Sequence, residues 1–425
     1  MPEQRYDLVV FGASGFTGQF VVEEVARIAD EEASLTWAVS GRSMERLQTV
    51  LENASKSTGK DLEAVPIIVA DTCSEESLLE MTKQAKVVLN CVGPYRFHGE
   101  KVVKACIEGG ASHLDISGEP QYLEKMQLMY NSKAKESKVY VIGACGFDSI
   151  PADMGVVYAK QKFEGEINSI EAYIDFEAKE GLVGNVTTLE SAVHGFVHAN
   201  ELQSLRKSLY PEPLPKPSFK LPKRSMIFTS KVVNKYCLPF MGSDKSVVYR
   251  TQRYNFEQKK QRPIQFDAYV TRSGILDLLS LIIFGLFFGI LSKFSIGQKL
   301  LIKVSKFISQ HLLSTISTLS QTWSSIENTS FSMTFVSKGW AKKLEDPSEQ
   351  HTEKPDVMLM TKVIGPEPGY VTTPITIVQS ALVVLKEKNK LPKDGGVFTP
   401  GMAFADTSLI DRLQKHNIKF QEVKE

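Results

Sequence analysis

Gly12, Gly15 and Gly18 in the run VVFGASGFTG are spaced to hold a diphosphate. Gly12 permits a tight strand-to-helix turn, Gly15 lets backbone N–H groups approach a pyrophosphate, and Gly18 lets the helix sit close on the strand. Ser14, Phe16 and Thr17 belong to the same loop, and the helix that follows directs its positive end at the phosphates. Arg42 and Ser43 follow a second apolar run, with no acidic residue between Leu35 and Ser43 to hold ribose hydroxyls. A guanidinium with a hydroxyl neighbour suits a 2′-phosphate, so NADP(H) is expected over NAD(H). Asp71, at the end of a third run, is placed to meet the adenine. Asn90, Gly93 and Pro94 close a fourth. Tyr95, His98 and Asp148 are the groups able to exchange a proton with a carbonyl or amine while hydride moves, against a bland role for each in packing or hydrogen bonding. Tyr158 and Lys162 share the Tyr-x-x-x-Lys spacing of a lysine-activated phenol, but the pair follows the sixth strand and reads as a surface contact.

These groups need an α/β scaffold, and the chain supplies one. Strand-like runs at 6–11, 35–40, 65–70, 87–92, 112–116 and 139–142 alternate with helical segments, among them Phe16–Ile28, Val102–Glu108 and Gln121–Lys135. Short, wholly apolar runs are the mark of strands buried on both faces. The runs at 65–70 and 87–92 are of that kind, and six strands with intervening helices predict an N-terminal Rossmann-type doubly wound parallel sheet, with ligands at the carboxyl ends of its strands. Three segments end there with unusual chemistry: 90–98, 115–119 and 143–153.

Composition narrows the class. At 425 residues, two or three domains are expected. Fifty Lys and Arg against 49 Asp and Glu leave a net charge of +1, which gives no electrostatic case for nucleic acid. The five cysteines are dispersed and never form Cys-x-x-Cys, so neither a disulfide framework nor a metal site is expected, and an intracellular, reducing location follows. The first residues read as neither a secretory signal nor a cleavable presequence.

The GASGFTG loop, the SGRS turn at 40–43, NCVGPYRFHG at 90–99 and GFDSIPAD at 146–153 together resemble the saccharopine dehydrogenase-like oxidoreductases. Pro94, Tyr95, Phe97 and His98 are similar to the Pro-Tyr-x-x-His run of true saccharopine reductases, over roughly the first third of the chain. Their amino-acid-binding residues find no match further on, so saccharopine itself is not the expected substrate. The loop and the GRS turn also resemble bacterial enoyl reductases of glycolipid synthesis. That likeness implies reduction of a lipid C=C or C=O bond, and Tyr95 or His98 is expected to donate the proton. The resemblance to the saccharopine dehydrogenase-like oxidoreductases implies that the C-terminal segment 365–425, with GVFTPGMAF, returns to complete the cofactor domain of residues 1–160.

Residues 161–364 are expected to form a second, α+β domain. Strands are read at 167–176, 330–336 and 356–364, helices at 186–205 and 374–386, and a proline-rich loop at 210–223. Its outstanding stretch is Ile275–Leu291 (ILDLLSLIIFGLFFGIL), followed by Lys293, Lys299, Lys303 and Lys306. As a helix it reaches only about 25 Å, short of a bilayer core of roughly 30 Å. An interfacial hairpin or amphipathic anchor on the cytosolic face of a membrane or lipid droplet is expected, the other reading being a buried or dimer-forming helix, and with it a homodimer. The expectation is an NADP(H)-dependent oxidoreductase acting on a hydrophobic, lipid-related substrate at such a surface. The alternative is a cofactor-binding but catalytically silent scaffold.

Overall fold

The computed structural model describes residues 5–423 apart from 33, 179–198, 293, 295–296, 298–299, 302–327 and 347. The chain divides into two compact units: Met1–Ile150 with Pro368–His416, and Pro151–Glu367 with Asn417–Glu425.

The first unit carries strands β1 (Tyr6–Phe11), β2 (Trp37–Gly41), β3 (Ile67–Val69), β4 (Ala85–Asn90), β5 (Ser112–Asp115) and β6 (Tyr140–Ile142). Helices α1 (Phe16–Ile28), α2 (Met44–Thr58), α3 (Glu75–Lys83), α4 (Tyr95–Gly109) and α5 (Pro120–Glu136) connect them. All pairings are parallel, in the order β13-β6-β5-β4-β1-β2-β3, where β13 is Gly396–Phe398 from the GVFTPG run. The order reverses at β1, so the loops after β1 and β4 face one another where ligands bind in such sheets. One layer of core joins Val9, Phe11, Val88, Leu78 and Val102. On α1, β4 and β5 packs the helix Thr373–Lys386, buried along nearly its whole length. With the turn before it, that helix is long and apolar enough to cross a membrane, but its burial makes it core.

The second unit is a mixed sheet ordered β14-β12-β11-β7-β10-β9-β8. Its strands are β7 (Glu166–Ala178), β8 (Phe228–Ser230), β9 (Lys235–Pro239), β10 (Gln265–Arg272), β11 (Thr329–Trp340), β12 (Val357–Pro366) and β14 (Lys419–Glu422). Only β7 and β10 pair in parallel. Helix α6 (Ile150–Lys162) crosses this sheet: Gly155 lies under the Phe335 ring, where an added Cβ would come within 2.2 Å. That close packing moves the domain boundary from the expected 160 back to Ile150. The tail from Asn417 likewise pairs with β12 rather than joining the cofactor unit.

Residues 275–292 form one helix, not a hairpin. It is no core element, since Ile275, Leu276, Leu279, Ile283, Leu286, Phe287 and Ile290 are exposed while Leu278 is buried. Lys293, Lys299, Lys303 and Lys306 lie outside the described residues, as does most of the helix expected at 186–205, of which Ala199–Leu209 is observed.

Candidate active site

The phosphate loop is built by close approach. Gly12 sits at φ +82°, and a Cβ there would fall 2.6 Å from Val92 Cγ2. A Cβ on Gly18 would lie 2.2 Å from the Gly12 carbonyl oxygen, and one on Gly15 3.0 Å from it. The Gly15 N–H donates to that carbonyl at 2.9 Å. No side chain caps the N-terminus of α1, so the amides of its first turn remain for a ligand. Phe16 turns its ring onto Tyr370 (centroids 4.8 Å apart), which anchors the turn while its backbone faces the crevice.

The loop's neighbours arrive through sheet register. Phe11 pairs with Ser40 on one side and Asn90 on the other. Ser14 Oγ lies 3.6 Å from a Cβ built on Gly41, the residue before Arg42. Arg42 is exposed and, among the described residues, forms no ion pair. Ser43 is engaged as the cap of α2, its Oγ accepting from Arg46 N. Asp71, beyond β3, accepts from Cys73 N at 2.8 Å. Asn90 Oδ1 accepts from Val92 N at 3.1 Å, which fixes the turn pressing Val92 on Gly12. Its amide N then faces His113 Nε2 at 3.2 Å, leaving the proton of the neutral imidazole on Nδ1, 3.9 Å from Asp115 Oδ2. Burial lowers the His113 pKa to about 3.

The three candidate proton groups part company. Tyr95 is buried, and its hydroxyl donates to the Asn90 carbonyl at 2.9 Å and meets the Ile116 backbone. Desolvation, aided by the Asp115 charge, raises that phenol well above its ordinary range. A donor whose proton is committed in a dry pocket is a poor general acid, so the geometry of Tyr95 suits packing better than the proton donation expected of it. His98 Nδ1 pairs with Thr72 Oγ1 at 3.2 Å, on the turn after β3, away from the ends of β5 and β6. Asp148 is partly exposed after β6, one carboxylate oxygen 3.0 Å from a Cβ built on Gly118, and desolvation raises its pKa to about 6. The Gly93–Pro94 and Asp148–Ser149 peptides are both cis. Tyr158 and Lys162 are a packing pair in the second unit: the ammonium stands 5.7 Å from the Tyr158 ring and 3.5 Å from Glu422.

Asp115 and Glu119, within the 115–119 segment marked in the sequence, and Tyr122 and Thr373, not marked there, hold this end of the sheet. Asp115 accepts from Ser117 N, Ala144 N and Tyr122 OH, tying the loops after β5 and β6 to α5, and burial raises its carboxyl to about 6. Tyr122 stacks on Tyr95 and fills the space left by Gly99. Glu119 accepts from both Tyr95 N and Arg96 N. Thr373 accepts from Phe147 N and so braces the loop that carries Asp148. The available signal was the DISGE run itself, a cluster of acids and small residues at a strand end.

Residues 8–142 match the family profile described as the saccharopine dehydrogenase NADP binding domain. A human protein named saccharopine dehydrogenase-like oxidoreductase is 48% identical over 428 residues, 99% of this chain and 98% of its own. The chain belongs to the saccharopine dehydrogenase-like oxidoreductase family. A Caenorhabditis elegans relative, named lipid droplet localized protein, is 38% identical over 98% of each chain. Among solved structures, saccharopine dehydrogenase (L-Glu forming) from Saccharomyces cerevisiae superposes with TM-score 0.54 at 12% identity, covering 98% of this chain and 99% of that one, a likeness of fold. In this saccharopine dehydrogenase-like oxidoreductase the cofactor is NADP(H), and the residues fit it: an uncapped helix start, three glycines that admit no Cβ, and an exposed guanidinium after β2.

Proposed function

We propose that the chain reduces a C=O or C=C bond of a hydrophobic, lipid-related substrate while held on a membrane or lipid-droplet surface. The observation that carries this reading is the exposed face of the helix Ile275–Ser292. Its exposed apolar residues fall at spacings of one, three and four, forming a single stripe about 120° wide along about 24 Å of helix. Phe287 is 59% exposed and Leu276 77%. A contiguous apolar stripe of this size on a described surface fits an interface with lipid. The worm relative's name supports the same surface.

The amides of α1 and Arg42 would hold the cofactor's phosphates. When bound, NADPH supplies the hydride. The proton comes from the chain, and Asp148 is the group best suited to hold it, being partly exposed and raised towards neutrality. Tyr95, through the Asn90 carbonyl, keeps the Gly93–Pro94 turn in place.

The test is NADPH oxidation by protein on phosphatidylcholine vesicles with long-chain enals and ketones. Turnover is expected with vesicles present, with Asp148→Asn lowering kcat and Phe287→Glu raising KM through loss of surface binding. Turnover of soluble substrates unaffected by Phe287→Glu and by vesicles would contradict the surface reading. NADPH binding with no turnover on any substrate would favour the silent scaffold.

A further inference from the structure

The start of α4 lies at the carboxyl end of β4, where ligands bind in sheets of this topology. It begins at Tyr95, directly after the β4 turn that borders the crevice, and has no cap from its own residues and no acid in its first turn. Its free amides would bind a carboxylate or phosphate readily. Here they are taken. Glu119, buried on the loop after β5, places Oε1 2.9 Å from Tyr95 N and Oε2 3.0 Å from Arg96 N. Both donors therefore serve one carboxylate supplied from inside the unit.

Two further observations bear on the same corner. Asp115 lies under it and feels the Glu119 charge, while Asp148 packs its carboxyl against Gly118, next to Glu119 in the chain. Three carboxyls thus converge on the ends of β5 and β6. On the outer side Phe97, 52% exposed, presents an aromatic ring on the first turn of α4. The Arg96 guanidinium stands 5.8 Å from that ring.

We propose that Glu119 is a specificity-determining residue: by filling the α4 N-terminus it excludes anions, so the reacting end of the substrate is an uncharged carbonyl or enone resting against Phe97. A carboxylate at this corner would meet the Glu119 charge and find no amide to bind. This rests on the oxidoreductase reading above. Its test reads the charge preference of ligands rather than turnover, so the two fail separately.

The probes are 4-oxopentanoate and its methyl ester, one an anion and the other neutral around the same ketone, titrated against full-length protein carrying NADPH, with the fluorescence of the bound nicotinamide as readout. The native protein is expected to bind the ester at least about tenfold tighter than the anion. In Glu119→Ala the anion should take the vacated place, reversing the preference by about tenfold or more. Formate should raise the melting temperature of that variant and leave the native protein unmoved. If Glu119→Ala does not fold, Glu119→Gln decides: the charge is gone, and the preference for the ester should fall to near parity. Native protein that binds the anion as tightly as the ester overturns the proposal. So do folded variants that keep the native ratio.

Discussion

Gly18→Ala and Gly285→Ala add the same methyl group to two helices, in the first turn of α1 and in the interior of Ile275–Ser292, and the structure assigns them opposite signs. In α1 the new Cβ would stand 2.2 Å from the Gly12 carbonyl oxygen, where C···O contacts normally run at about 3.3 Å. The first turn of α1 must retreat by about 1 Å, and the obstacle is backbone, which cannot rotate away. Overpacking of this kind costs about 1–3 kcal/mol, while alanine's helix propensity returns about 1 kcal/mol. The net is a loss of about 1–2 kcal/mol, or several degrees in melting temperature for a unit of this size. The same retreat withdraws the uncapped amides from the phosphates, and one lost charge-assisted hydrogen bond weakens NADPH by about tenfold or more. At Gly285 nothing among the described residues lies within 4 Å of the new Cβ, so propensity alone acts and the variant should gain about 0.5–1 kcal/mol. Circular-dichroism melts with and without NADPH, joined to a fluorescence titration, measure both effects. Gly18→Ala with native stability and affinity, or two variants shifting in the same direction, would refute the steric account of the loop.

Three other outcomes follow from the site. Tyr95→Phe deletes a buried hydroxyl bonded to the Asn90 carbonyl and should cost about 1–2 kcal/mol of stability with turnover kept within a few-fold; a hundredfold loss of kcat with stability intact would restore the proton-donor role. Asp115 has its carboxyl raised from 3.8 to about 6, so the folded chain holds a proton there that the unfolded chain releases, and its contribution falls as pH rises from about 4 to 6. Asp115→Asn should therefore flatten urea midpoints across pH 4 to 6, and parallel curves for the two proteins would count against it. Arg42→Asp should remove the preference for NADPH over NADH, a change of about 10- to 100-fold in relative affinity; equal affinities in the native protein would break the 2′-phosphate assignment.

Much of the first unit was legible because its constraints are local. β1 and α1 fall at Tyr6–Phe11 and Phe16–Ile28 as read, since the buried stretch Leu8–Phe11 is apolar throughout and the loop glycines answer to a carbonyl three to six residues away. What escaped depends on contacts between distant segments. Glu119 reaches amides 24 residues earlier, and Thr373 braces Phe147 across 226 residues. No spacing rule reports either. Tyr95 was read as reaching the crevice because it follows a strand, yet it is the first residue of α4 and its ring turns inward onto Tyr122. In the second unit β8, β9 and β10 went unread, being short or embedded in lysine- and proline-bearing sequence. The length of the helix at 275–292 was legible from composition. The exposure of Ile275, Leu276, Leu279, Ile283, Leu286, Phe287 and Ile290 was not, because a segment apolar all round gives no hint which residues stay uncovered.

The most direct test of the proposed activity is isotopic. Protein on phosphatidylcholine vesicles would be given NADPH deuterated at the transferable position of the nicotinamide and a long-chain enal, and the extracted lipid analysed by mass spectrometry. One deuterium per reduced product, formed more slowly at sub-saturating NADPH when Gly18→Ala replaces the native protein, is the predicted result. Tight NADPH binding with no deuterium in any lipid carbonyl or enone offered would contradict it.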